Sequence, residues 1–173
     1  MSYLFGHLVG AWLLGQGYQF VSKKKLSHYT WFFLLAGGII PDLDFLIDWT
    51  LGTAWHRTFT HSIFFLVLAP VLLYVGCRIL RKEESSAYAW ALAGGILMHL
   101  LLDLHSAPGI PLLWPSWQHF SYFSVEYYNP ATPSFFDSSS LQDLRLLLKR
   151  AVLDMALGAG WIFYLWWRRK IQF

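Results

Sequence analysis

The chain alternates long stretches free of formally charged side chains with short polar interruptions. Residues 1–22, 26–41, 58–77 and 85–102 carry no Asp, Glu, Lys or Arg, and 151–167 carries only Asp154. Crossing a bilayer takes roughly 20 mostly apolar residues in a helix. The pattern therefore predicts about five membrane spans, near 3–22, 29–48, 59–78, 85–104 and 148–167. The second and fourth reach that length only by taking in carboxylates at one end. The interruptions are basic: Lys23-Lys24-Lys25, Arg78 with Arg81-Lys82, and Arg168-Arg169-Lys170, nine of the thirteen Lys and Arg residues. Cytoplasmic loops collect Lys and Arg, so the clusters predict an N-terminus outside, a C-terminus in the cytoplasm and an external segment over about 105–140. That segment holds Trp114, Trp117, His119, Phe120, Tyr122, Phe123, Tyr127 and Tyr128. Trp and Tyr favour the headgroup level, which predicts that it lies along the outer interface as a loop with a short helix. No basic residue precedes the first apolar run, so a cleavable leader is not expected.

Composition narrows the class. The chain is 56% hydrophobic, 19% aromatic and 13% charged, where an ordinary soluble domain is roughly 25% charged. Disorder, collagen-like sequence and a disulfide scaffold are excluded. Cys77 is the single cysteine, so no internal disulfide can form. The net charge of +3 could suggest nucleic acid, but the basic residues sit in short clusters between apolar runs, which excludes that partner. A length of 173 residues allows one domain, 1–173. The expected fold is an all-α, multi-pass transmembrane bundle of about five spans.

Ionisable residues inside spans are costly and point to function. At 1.5 Å per helical residue, His7 lies about 24 Å from Lys23. By the same measure Asp42 from Lys25, His61 from Arg78 and His99 from Lys82 are each about 26 Å apart. Asp44 and Asp103 lie one turn or less further out, and Asp154 is about 21 Å from Arg168. Independent structural polar residues would have no reason to agree in depth. Local spacing points the same way. In His99-Leu-Leu-Leu-Asp103 the imidazole and carboxylate share one helical face. Pro41 disturbs a helix and lets Asp42 and Asp44 turn inward. In His56-Arg57-Thr58-Phe59-Thr60-His61-Ser62 the hydroxyls can cap the next helix, and Arg57 with nearby backbone N–H groups can hold an anion such as phosphate.

Each piece has a plainer reading. His7 alone could be an interfacial hydrogen-bonding residue, His99 with Asp103 a buried ion pair locking two helices, and Asp42 with Asp44 a helix end in water. Agreement in depth favours a metal cluster near the outer membrane face. Mixed His and Asp donors suit zinc, manganese or iron, and the number of groups exceeds one tetrahedral zinc, so two or three ions are expected. His105 reads as a rim residue, His28 and His119 as bystanders. Asp154 could orient a ligand histidine or an arginine, Asp48 and Glu126 are exposed candidates, and Gly6 with Gly10 allows close helix packing.

These residues resemble a family of bacterial and archaeal membrane-bound, metal-dependent hydrolases, one of whose members is LexA-regulated. The resemblance is carried by Gly6-His7, Pro41-Asp42-Leu43-Asp44, the His56–Ser62 stretch, His99-Leu-Leu-Leu-Asp103, Gly109 and Leu113-Trp114-Pro115, in that order over roughly residues 1–116. The family is similar in turn to the zinc-dependent phospholipase C and S1/P1 nuclease group. That likeness implies metal ligands at His7, Asp42, His61, His99 and Asp103, with Asp44 and His56 as further members. It also implies a second His-x-x-x-Glu pair, which is missing after Asp103. His105, His119, Glu126 or Asp154 would have to substitute, or the site holds two metals.

The expectation is an inner-membrane hydrolase of a phosphoester in a lipid or lipid-linked substrate, using a hydroxide generated at zinc. Arg57 would neutralise developing charge, and Asp44 would serve as ligand or general base. The alternatives are a divalent-metal transporter or sensor, and a non-catalytic membrane scaffold. Transport is disfavoured because the inner halves of the spans offer little beyond Gln16, Gln19 and Ser27.

Overall fold

The computed structural model describes residues 4–51, 57–105, 109–122, 125–127 and 141–168. Helix α1 spans Leu4–Ser22 and ends where Lys23 turns into the left-handed region at φ 58°. Helix α2, His28–Gly37, starts at Ser27, whose hydroxyl accepts from Thr30 N and donates to Glu84 Oε2 at 2.8 Å. Pro41 has no N–H to continue the ladder. The chain passes through a 3-10 turn, Ile40–Leu43, into α3, Asp44–Leu51, with a bend of 54°. A second 3-10 turn, Phe59–His61, leads into α4, Ile63–Ile79, and Ser62 caps α4 by accepting from Phe65 N at 3.2 Å. Helix α5 is Ser85–Asp103 and α6 is Leu141–Trp167.

Helix α5 is the centre of the packing and touches α1, α2 and α4, while α6 packs on α1. Leu92, Ile96 and Leu100 of α5 form the core with Ile110, backed by Phe33, Ile40, Phe65 and Leu66. The α2–α5 contact is backbone on backbone. A Cβ at Gly95 would lie 2.1 Å from Leu34 O, and one at Gly37 would lie 2.4 Å from Leu92 O. Only glycine permits this approach, and it carries the end of α2 to the level of His99.

Two expectations are corrected. The segment after α5 contains no helix among the described residues. It forms an antiparallel pair, β1 Gln118–Phe120 with β2 Val125–Tyr127, and Ile110 bridges to Phe120. The expected five spans also reduce. One helix, α5, is long and apolar enough to cross a membrane, and a second crossing arises if the bent pair His28–Gly37 and Ile40–Asp48 acts as one. The reason is that lack of charge is a weaker criterion than hydropathy. Helix α1 is diluted by His7, Gln16, Gln19 and its glycines, and Ser62 starts α4 late, at 17 residues. The first part of α6 carries Asp143, Arg145, Lys149 and Arg150, leaving Ala151–Trp167 as its apolar portion. The orientation drawn from the basic clusters depended on that span count and has no separate support in the fold. Outward faces are nonetheless strongly apolar, with Phe20, Val21, Ile79 and Trp90 all at least 75% exposed. Apolar surface on this scale marks a contact with lipid or protein.

Candidate metal centre

Four elements meet at one end of the bundle. His7 comes from the first turns of α1, Asp42 from the 3-10 turn after α2, His61 from the turn before α4, and His99 and Asp103 from the last turns of α5. Each break in helical geometry serves this meeting: the Pro41 turn swings Asp42 inward, and the turn ahead of Ser62 does the same for His61. His7, His61, His99 and Asp103 are completely buried, whereas the Asp42 side chain is 28% exposed and forms the open edge.

Asp42, His61, His99 and Asp103 each offer one donor atom within 4.8 Å of the other three. Asp42 Oδ1 lies 3.3 Å from His61 Nε2 and 3.5 Å from His99 Nε2. Asp103 Oδ2 lies 3.4 Å and 3.6 Å from the same two nitrogens, which are 3.3 Å apart. Donors around a tetrahedral zinc, each at 2.0–2.1 Å from the ion, stand roughly 3.3 Å from one another. The spacing therefore fits a single small cation. The other oxygen of each carboxylate faces His7: Asp103 Oδ1 at 3.4 Å and Asp42 Oδ2 at 3.8 Å from His7 Nε2. The His7 ring stacks on His99 with centroids 3.7 Å apart. Both carboxylates thus present one oxygen to the His61–His99 pair and one to His7.

The tautomers suit metal binding. A carbonyl oxygen only accepts, so His99 Nδ1 donates to Gly38 O at 2.9 Å, leaving the Nε2 lone pair free to bind. Thr60 gives its hydroxyl proton to Asp44 Oδ2. Its oxygen then accepts from His61 Nδ1 at 3.1 Å, and His61 Nε2 likewise faces the cluster as an acceptor. Asp44 Oδ2 also accepts from Arg57 N at 3.2 Å and lies 3.7 Å from His61 Nδ1. Partners of this kind set ring orientation and basicity in metal sites.

The structure thus groups Asp42, His61, His99 and Asp103, sets His7 against them, and places Asp44 behind His61. Arg57, at a left-handed φ of 60°, brings its guanidinium 3.5 Å from Asp103 Oδ2. His56 lies outside the described residues. His105 is exposed beyond α5, and His28 is exposed at the start of α2. His119 is buried on β1, donating from Nδ1 to Trp117 O at 3.3 Å, and its strand partner is Glu126. Asp154 accepts from the backbone at the start of α1 and touches neither a histidine nor an arginine through any bond described for it. Sequence reasoning missed Thr60 and the Gly38 carbonyl. Thr60 directly precedes His61, which is a usable signal, but a backbone carbonyl leaves none.

A family model described as YdjM inner membrane protein matches residues 1–170. The chain belongs to that family. No curated protein and no solved structure matches it. Membership assigns the chain to the inner membrane, in keeping with the apolar outer faces, and the family's description concerns location rather than chemistry.

Proposed function

We propose that this chain is a membrane-embedded, metal-dependent hydrolase that cleaves a phosphoester bond in a lipid or lipid-linked substrate. The observation that carries this reading is the buried donor set of Asp42, His61, His99 and Asp103, with both imidazole tautomers turned to acceptance. Two carboxylates this close, one of them fully buried, would repel without a cation between them, and mixed nitrogen and oxygen donors suit zinc, with manganese or iron as alternatives. These four residues would hold one ion, and His7 with the outer oxygens of Asp42 and Asp103 would hold a second. A bound divalent ion supplies a Lewis acid that makes water a nucleophile near neutral pH and draws charge from a phosphoryl oxygen.

The chain's own residues supply the rest. Asp44, engaged by Arg57 N, Thr60 and His61, orients His61; its contacts support that role over ligand or general base. Arg57 lies against Asp103 at the cluster and is suited to neutralise a phosphoryl oxygen there. Asp42 is the open edge where substrate arrives. Phe59 and Trp114, stacked edge to face at 5.3 Å, stand beside this end of the bundle and suit a headgroup-level approach. The cluster and the Lys23–Lys25 group occupy opposite ends of α1, so cytoplasmic basic residues would turn the centre toward the outer face.

Elemental analysis of detergent-purified protein tests the reading. Wild type is expected to carry about two transition-metal equivalents, as a two-metal hydrolytic site does, and His99→Ala to lose them along with phospholipid headgroup release. Arg57→Ala should keep its metal and lose turnover; metal loss there would remove Arg57 from its assigned role. A wild type that is folded, metal-free and inactive with added zinc or manganese would leave a hydrogen-bonded scaffold as the reading.

A further inference from the structure

Helix α6 packs on α1 and supplies none of the four clustered donors. Its facing side is nevertheless built around one carboxylate. Asp154 Oδ1 accepts from Gly6 N at 2.7 Å and Oδ2 from Phe5 N at 3.1 Å. The amides of a first helical turn have no partner within their own helix. A carboxylate there both accepts the bonds and opposes the positive end of the helix dipole. One turn further along α6, Gly158 lies under the Phe5 ring, where a Cβ would come within 2.4 Å of it. Trp161 and Tyr164 then meet Trp12 edge to face at 6.1 and 5.8 Å. Asp154, Gly158 and Trp161 recur at helical spacing and form one stripe against α1.

The residue after Gly6 is His7. Two bonds to successive amides set both the height and the rotation of the first turn of α1. A shift by one residue would turn the His7 side chain by about 100°, away from Asp103 and off the His99 ring. We infer that Asp154 is a positioning residue for His7, which makes α6 part of the metal centre although it lends that centre no donor. This rests on the metal reading proposed above, and it extends that reading to a helix remote from the ligands.

The test is cobalt(II) titration of the full-length, detergent-solubilised chain, followed by its visible ligand-field bands. Wild type, His7→Ala, Asp154→Ala, Asp154→Asn and Trp161→Phe are compared. Asp154→Ala should weaken the His7-dependent cobalt step about tenfold, the low end for loss of an outer partner, and give the band pattern of His7→Ala. Asp154→Asn, which keeps one accepting oxygen, should fall between wild type and Asp154→Ala. Trp161→Phe alters the same interface at its contact with Trp12, leaving the Asp154 bonds to Phe5 and Gly6 in place, and should leave the bands unchanged. Amide exchange at Phe5 and Gly6, a metal-free readout, should speed up in Asp154→Ala. Wild-type bands in Asp154→Ala would overturn the positioning role, as would the same loss in Trp161→Phe, which would reduce it to general helix docking. If Asp154→Ala does not fold, wild-type bands and exchange in Asp154→Asn overturn it equally. Cobalt uptake absent from wild type would overturn the metal reading and this inference with it, an outcome distinct from the others.

Discussion

Two helix contacts place histidines at the same centre by different means. Between α2 and α5 the backbones touch through Gly37 and Gly95, and the Gly38 carbonyl reaches His99 Nδ1 directly. Between α1 and α6 the contact runs through side chains: an Asp154 carboxylate on two amides and a Phe5 ring over Gly158. The first arrangement has no adjustable part, since carbonyls and Cα atoms cannot rotate away. The second includes a carboxylate and a ring that can shift. The difference shows that a similar steric clash has different consequences depending on what stands opposite.

The sharpest way to break the comparison is Gly95→Ala. Its Cβ would press on the Leu34 carbonyl, so the helices must part, at a cost of about 1–3 kcal/mol as for other overpacked sites. Loss of bound metal together with a lowered unfolding midpoint is expected, and a normal metal content would show that α2 can retreat without disturbing His99. Thr60→Val comes next. It keeps the shape but removes the hydroxyl between Asp44 and His61, and metal affinity should fall roughly 10–100-fold, with Thr60→Ser restoring most of it in the same titration. Gly158→Ala should cost least. The nearest atoms to its Cβ belong to the Phe5 ring, a side chain rather than backbone, so a change of the Phe5 rotamer should leave metal binding within about threefold of wild type. Gly17→Ala, inside α1 with no contact within 4 Å of its Cβ, is the clash-free control and should raise stability by about 0.5–1 kcal/mol in thermal unfolding while leaving metal binding unchanged.

Much of the cluster was legible in the chain because its residues keep a common spacing from the basic groups. Asp42, His61 and His99 sit nearly equal numbers of residues from their basic clusters, and His99 and Asp103 declare a shared face by spacing alone. Less legible was whatever depended on backbone direction. Asp44, two residues from Asp42, reads as a second ligand, yet the bend at Pro41 and the start of α3 carry it behind His61. The Gly38 carbonyl could not be anticipated, because its role arises only once Gly37 and Gly95 let α2 and α5 meet. The span count failed for another reason. A run without charge can still be too polar or too short to cross, as α1 and α4 show. The aromatic segment after α5 misled in kind: its Trp and Tyr residues suit an interface in any conformation, and residues 118–120 pair with 125–127 as strands.

Among the five clustered side chains, Asp42 alone has appreciable exposure. On the hydrolase reading proposed above, metal exchange and substrate access would share one route. A chelator, a replacement ion and a phosphoester would all approach past the same carboxylate, so each would compete with the others in time even where they do not compete for the same atom. Product that lingers against Asp42 would then slow release of a metal behind it, and a working hydrolase of this design would hold its metal longer than a resting one.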